Sequence, residues 1–290
     1  MSENIDCDAE EREKPFPFVI NGQYTPFIAL KIFGMVDKES LLNCRAVSTD
    51  WRNLIDFHTL LWRNMNQKHY HEAARCGRLD ICQLFIHRAQ DKNPRGKHGL
   101  TPLHQAARHG HLEICRLILH MVDDTNPVDE YGVTPLHWAA SYGHIEICQT
   151  IMKTVADKNP ANNEGITPFH WAALFGELDV CLLIMNSVED KNPTNVHGFT
   201  PLHIAAQQGY LDICRAILRQ IDLKNPADEN GCTPLHFAAG QGFLDVCKLI
   251  IQNIQNYHPL DSNGDTPLEI ARWYGQMPVV EMFQQHALTI

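Results

Sequence analysis

Residues 101–122 read TPLHQAARHGHLEICRLILHMV, and close variants of this stretch recur along most of the chain. Each copy begins with Thr-Pro, continues with Leu or Phe, and has a glycine nine residues after its threonine. Five of the six Thr-Pro copies also have a histidine and a pair of alanines at the same offsets. The threonines lie 33 residues apart, at Thr101, Thr134, Thr167, Thr200, Thr233 and Thr266. A fixed period of this length predicts an array of stacked structural repeats.

Each copy carries the signals of two helices. Proline suits the first turn of a helix, because the amide it lacks would have no partner there, and the threonine before it is a good N-terminal cap. Glycines such as Gly143 suit the left-handed residue at which the first helix ends. The apolar spacing of residues 112–122 predicts a second helix with a broad buried face.

The register extends beyond the six Thr-Pro copies. Residues 69–86, HYHEAARCGRLDICQLFI, follow the pattern one period earlier without the Thr-Pro. The final copy has Glu269 in place of the histidine and Arg272 in place of the second alanine, as expected of a terminal repeat with a solvent-facing side. We therefore predict about seven repeats over residues 67–290, the first degenerate and the last a cap.

The repeat resembles the ankyrin repeat, and the resemblance covers about three quarters of the chain. It implies an all-α solenoid of helix-turn-helix units with short β-hairpin loops. The chain departs from the family where DKNP, as at Asp91 and Asp157, replaces the usual Gly-Ala at the end of the second helix. We expect prolines such as Pro94 to stop that helix instead. The conformation of the hairpin is left open.

A different pattern fills residues 23–66. Its apolar residues keep helical spacing, and Asp37 and Ser48 stand where helix caps are expected, which predicts three short helices. This segment resembles an F-box, although it lacks the acidic residue after the proline, and its first and last motifs are each displaced by one position. The matching residues are Pro26, Ile32-Phe33, Leu41-Leu42, Val47, Trp51 and Leu61-Trp62.

The F-box resemblance implies a partner and a function. F-boxes dock onto the Skp adaptor of a cullin-RING ubiquitin ligase, so the chain would be the substrate-recognition subunit of an SCF-type ligase. The alternative is an ankyrin scaffold unrelated to ubiquitin, in which the N-terminal helices only cap the first repeat. The implied adaptor-binding residues are Pro26, Ile28, Leu30, Ile32, Phe33, Leu41, Leu42, Val47, Trp51, Leu54 and Trp62.

In ankyrin stacks, hairpin tips and first helices line the target groove, so variable positions there predict contacts. Aromatic residues among them would form a discontinuous stripe of the type favoured at hot spots, unless some pack between repeats. For Trp138, Trp171 and Phe237, which follow the histidine, we favour packing. The predicted target-binding residues are Lys97, His98, Arg108, His109, Tyr131, Tyr142, Leu174, Phe175, His197, Phe199, Gln207, Gln208, Trp273 and Tyr274.

Charge and hydropathy narrow the class of partner. Acidic residues outnumber basic ones by 34 to 24, which argues against a nucleic-acid partner. No apolar run reaches the roughly 18 residues that would cross a bilayer, and the acidic start, MSENIDCDAEEREK, is unlike a secretory signal. We expect residues 1–22 to be a disordered tail, and the protein to be cytoplasmic, nuclear or both, without membrane contact and monomeric apart from its partners.

The cysteines and histidines are expected to be structural. Equivalent residues of stacked helices lie roughly 8–10 Å apart, beyond the roughly 7 Å between Cα atoms that a disulfide allows. The sequence has no Cys-x-x-Cys pair, zincin helix, nucleophile elbow or phosphate loop. We therefore expect a non-catalytic adaptor without metal or cofactor. The periodic cysteines are Cys82, Cys115, Cys148, Cys181, Cys214 and Cys247.

Overall fold

A computed structural model describes Val19–Ile20, Gln23–Tyr24 and residues 67–287. The three helices predicted within residues 23–66, and with them every predicted adaptor-binding residue, lie outside these described residues. The chain divides into two units, Met1–Asp123 and Asp124–Ile290. Each unit is described by itself.

The first unit contains a short β-hairpin ahead of its helices. Strand β1 (Val19–Ile20) pairs antiparallel with β2 (Gln23–Tyr24), with Val19 opposite Tyr24. The two strands lie on either side of residues 21–22, where we expected the disordered tail to end.

Two helix pairs follow in the same unit. Repeat 1 consists of α1 (Gln67–Arg75) and α2 (Leu79–Arg88), and repeat 2 of α3 (Pro102–Arg108) and α4 (Leu112–Met121). A short 3-10 turn, Lys97–Gly99, lies between the pairs. Helix α1 packs on α3, and α2 packs on α4. In this unit, the first helices of the two repeats therefore pack on each other, and so do the second helices.

The second unit contains five helix pairs, repeats 3 to 7. First helices pack on first helices and second helices on second helices of the next repeat, so the helical repeat fold is confirmed. The pairs are α5 (Pro135–Ser141) with α6 (Ile145–Met152), α7 (Pro168–Phe175) with α8 (Leu178–Met185), α9 (Pro201–Gln208) with α10 (Leu211–Leu218), α11 (Pro234–Gln241) with α12 (Leu244–Ile251), and α13 (Pro267–Trp273) with α14 (Met277–Ala287).

The loops between repeats are turns, and within residues 67–287 none of them contains an assigned strand. In repeats 3 to 7, backbone hydrogen bonds join each tip to the next, as when the Asn163 N–H donates to the Tyr131 carbonyl at 3.0 Å. One bond of this kind per pair of tips is too little for a ladder. The predicted β-hairpin loops are therefore present as stacked turns.

The core is built from the positions that repeat. Both alanines of each pair are fully buried, as at Ala205 and Ala206, which allows neighbouring first helices to approach closely. The six periodic cysteines are buried and free, and burial raises the pKa of Cys148 to about 12. They are therefore neutral thiols that pack as small apolar groups, as predicted.

In repeats 1, 4 and 5 the lysine of the DKNP or LKNP loop bonds the end of the second helix, which stops well before the proline. Helix α2 ends at Arg88, six residues before Pro94, so the expectation that proline stops this helix is wrong. The Lys224 ammonium donates to the carbonyl of Leu218, the last residue of α10, and to that of Ile221 in the following loop. The last carbonyls of a helix have no partner within it, and a cation is favourable at this end of a helix.

The aspartate and asparagine of DKNP connect the loop to the next repeat. Asp157 Oδ1 accepts the N–H of Asn159 at 2.9 Å, which closes a local turn. Asn159 Oδ1 then accepts the N–H of Phe169, in the first turn of α7, at 3.0 Å. Asn93, Asn192 and Asn225 make the equivalent bond in their repeats.

Candidate target-binding surface

The Thr-Pro-x-His motif connects each of repeats 3 to 6 to the repeat that follows it. In repeat 5 the Thr200 N–H donates to Nδ1 of His203 at 3.1 Å, and the His203 N–H donates to Oγ1 of Thr200 at 3.4 Å. This reciprocal pair caps helix α9. Nε2 of His203 then donates to the carbonyl of Cys232, in the next hairpin, at 3.2 Å. The same bond joins His137 to Ile166, His170 to Phe199 and His236 to Asp265.

These histidines are neutral, because one ring nitrogen accepts while the other donates. Burial lowers the pKa of His170 and of His203 to about 4 and lowers that of His236. The described residues contain no group of three His, Cys, Asp or Glu side chains that would hold a metal ion. The histidines therefore have the structural role predicted, bonding the neighbouring turn.

The glycines that end the first helices of repeats 4 and 5 are required for two reasons. Gly209 has φ +78°, a left-handed conformation that glycine adopts at no steric cost. The Phe243 ring of the next repeat also covers it, so closely that a Cβ on Gly209 would lie 2.6 Å from the ring. Tyr210 covers Gly176 in the same way.

An Asp or Asn holds each hairpin tip in the second unit. Asp228 Oδ1 accepts the N–H groups of Asn230 and Cys232 at 2.9 and 2.8 Å, and equivalent bonds form at Asp129, Asn162, Asn195 and Asp261. The turn presents two consecutive side chains to solvent. At the tips of repeats 5 and 6, His197 Nδ1 lies 2.9 Å from Glu229 Oε1.

Most of the predicted target-binding residues are exposed. At the tips, Tyr131 is 61% exposed. At the ends of the first helices, Phe175 is 55% and Trp273 72% exposed. Gln207 is half-buried, as is Arg108 in the first unit. The remaining exposed members are Lys97, His98, His109, Tyr142, Leu174, His197, Gln208 and Tyr274.

Phe199 differs from the rest of the predicted aromatic stripe. It is half-buried, and its ring centroid lies 5.1 Å from that of Phe237 and 5.4 Å from that of His203. It packs between repeats 5 and 6, which was the alternative that the sequence left open. Trp138 and Trp171 also pack between repeats, edge to face at 5.1 Å, as favoured for residues that follow the histidine.

The predicted set omitted exposed residues at positions that the 33-residue register contains. Val196 is 62% exposed beside His197 at the tip of repeat 5. Gln241 is exposed at the position equivalent to Tyr142 and Phe175.

Comparison with known protein families assigns both parts of the chain. Residues 70–162, 153–227 and 220–289 match the model described as "Ankyrin repeats (3 copies)". Residues 27–68 match the model described as "F-box-like". A search of curated proteins found no match. No helix among the described residues is both long and apolar enough to cross a membrane.

Proposed function

Since the chain belongs to the ankyrin-repeat family and carries an F-box-like segment, we propose that it is the substrate-recognition subunit of an SCF-type, cullin-RING ubiquitin ligase. Both kinds of domain are non-catalytic interaction modules. In this proposal the F-box-like segment binds a Skp-type adaptor, the repeats bind a target protein, and catalysis takes place on other subunits. We propose that it acts in the cytoplasm, the nucleus or both.

The observation that carries the proposal is the direct succession of the two modules. The F-box-like match ends at residue 68 and the first ankyrin match begins at residue 70. An adaptor-binding module and a target-binding array joined this closely would hold the target at a restricted distance from the ligase. Proximity of this kind is what a substrate-recognition subunit contributes.

The repeats supply a surface suited to the target. Their stacking positions are buried and bonded from one repeat to the next, as at His203 and Gly209. The exposed positions at the tips and first-helix ends vary in chemistry while the backbone repeats. A surface held on rigid elements in this way loses little entropy on binding.

A pulldown with a purified Skp-type adaptor tests the proposal. We expect the full chain to retain the adaptor at micromolar concentration, and the double variant Phe33→Ala with Trp51→Ala to lose it. Phe175→Ser, in the array, is the matched control and should retain the adaptor. A wild-type chain that does not bind the adaptor would favour the scaffold unrelated to ubiquitin.

A further inference from the structure

The basic residues of repeats 3 to 6 are confined to one side of these repeats. The hairpins and first helices of these repeats, residues 128–143, 161–176, 194–209 and 227–242, contain no Lys or Arg. The basic residues of repeats 3 to 6 lie in the second helices and the loops that follow them, at Lys153, Lys158, Lys191, Arg215, Arg219, Lys224 and Lys248. The hairpin tips carry exposed carboxylates at Glu130, Glu164 and Glu229.

Repeats 3 and 4 combine this negative charge with exposed apolar surface. Tyr142 is 49%, Leu174 38% and Phe175 55% exposed, and Tyr131 adds a largely exposed ring at the tip. We call these four residues the aromatic face. Trp138 and Trp171 lie half-buried on the same pair of first helices.

The same positions in repeats 5 and 6 have a different chemistry. Where repeat 4 has Leu174 and Phe175, repeat 5 has Gln207 and Gln208, and repeat 6 has Gly240 and Gln241. Among the later repeats, aromatic residues occupy these two positions only in repeat 7, at Trp273 and Tyr274. The aromatic face is therefore a bounded patch that covers two repeats.

We infer that the aromatic face binds a target segment that presents Arg or Lys close to an apolar side chain. This inference rests on the proposed function of the repeats as the target-binding array. A cation within about 6 Å of an aromatic ring is attracted by the ring's quadrupole. The Glu130 and Glu164 carboxylates add attraction of the same sign. The apolar side chain of the segment would pack on the exposed apolar surface of Leu174 and Phe175.

The repeat spacing sets the spacing within the segment. Neighbouring first helices pack roughly 8–10 Å apart, and an extended chain advances about 3.3 Å per residue. Side chains two or three positions apart in an extended segment therefore reach adjacent repeats. We expect the basic and apolar residues of the segment to be separated by that interval.

Selection from a phage-displayed library of random 12-residue peptides on the full chain provides the probe. We expect the selected peptides to be enriched in Lys and Arg over Asp and Glu, with an apolar residue two or three positions from the cation. A fluorescein-labelled consensus peptide then gives Kd by anisotropy. Phe175→Ser and Glu164→Lys should each weaken binding by roughly tenfold or more, and added salt should weaken it further.

Leu223→Ser is the matched control, because Leu223 is a 68% exposed apolar residue in the loop after α10, outside the aromatic face and the predicted target-binding set. It should leave Kd unchanged, and circular dichroism should show all three variants folded. Selected peptides that are acidic, or no selected peptides, would overturn the inference. So would a Kd that responds to Leu223→Ser and not to Phe175→Ser.

A second copy of the chain is the competing occupant of the aromatic face. Sedimentation velocity that shows a wild-type dimer dispersed by Phe175→Ser would replace the inferred target segment with that copy. The adaptor pulldown separates this inference from the proposed function. If the chain binds the adaptor but the selected peptides are acidic, only the inference is contradicted. If the selected peptides are basic but the chain does not bind the adaptor, only the ligase proposal is contradicted.

Discussion

Repeat 7 and the interior repeats use the same two positions differently. In repeat 5, His203 caps its own helix and also bonds the Cys232 carbonyl of repeat 6. In repeat 7, Glu269 replaces the histidine, and among the described residues its carboxylate accepts only from the N–H and hydroxyl of Thr266, both at 2.8 Å. Gly209 lies under the Phe243 ring, whereas a Cβ on Gly275 would meet no described atom within 4 Å.

This comparison separates two contributions that interior repeats combine. Each of these two recurring positions stabilises the ends of its own helix and also couples its repeat to the next one. The last repeat retains the first contribution alone. The stability of a repeat array is approximately the sum of such internal and interface contributions, so matched substitutions in repeats 5 and 7 measure them one at a time.

The largest difference is expected between His203→Ala and Glu269→Ala. The histidine variant loses a cap and leaves the buried Thr200 N–H and the Cys232 carbonyl without their partner, so we expect a loss of about 3 kcal/mol in unfolding free energy. Glu269→Ala removes only the cap and should cost about 1 kcal/mol. Urea unfolding followed by circular dichroism measures both. Equal losses would mean that the bond between repeats contributes nothing.

The glycine pair should show a smaller difference. Gly209→Ala and Gly275→Ala both place a side chain at positive φ, which costs about 1 kcal/mol. Gly209→Ala also forces Phe243 to move, which adds roughly 1–2 kcal/mol. The same urea experiment measures the two losses. If Phe243 is the covering ring, Gly209→Ala should cost less unfolding free energy in a Phe243→Ala background than in the wild type. An equal cost in both backgrounds would contradict this assignment.

The smallest change in unfolding free energy per residue is expected when the pH is lowered, and it arises in the interior repeats. The folded pKa of His170 and His203, about 4, lies below the ordinary value near 6.5. As pH falls, the unfolded chain therefore binds protons first. The stability that each neutral histidine contributes is complete above pH 6.5 and is lost progressively towards pH 4.

At pH 5.5 the loss should be about 1 kcal/mol for each of these two histidines. Urea midpoints measured at pH 7.5 and 5.5 test this directly. His203→Ala is the control, since it should reduce the pH dependence by about one histidine's contribution. Repeat 7 has a carboxylate at this position. When the pH is lowered from 7.5 to 5.5, amide hydrogen exchange should therefore show a smaller loss of protection in its first helix, α13, than in α9. Uniform loss of protection would contradict this assignment.

The repeat and its local geometry were predictable because their causes lie close together in sequence. The cap between Thr200 and His203 spans three residues, and the left-handed Gly209 follows from its place at the end of a helix. The period then carried each local assignment to every copy. The role of Lys224 was missed because its acceptors are main-chain carbonyls, which a residue pattern does not report.

Exposure was less predictable than helix formation. Tyr131 and Phe199 both flank a turn glycine and are both aromatic, and the sequence placed them in one stripe. The structure leaves Tyr131 largely in solvent, whereas Phe199 packs against Phe237 of repeat 6. Which of the two binds a target stays a prediction. The adaptor-binding residues between Pro26 and Trp62 also stay predictions, supported by the F-box-like match.

The sequence by itself determined the period, the helix pairs, the neutral structural histidines and the buried thiols. Each of these follows from local residue preferences that recur at the same positions in successive repeats. Only the tertiary structure decided which glycine a neighbouring ring covers, which lysine closes a helix and which aromatic rings remain in solvent. The covered glycines and the exposed rings depend on side chains more than 30 residues away in sequence, brought together by the stacking of one repeat on the next. The lysine depends on the path of the main chain, which brings it to carbonyls three and six residues away.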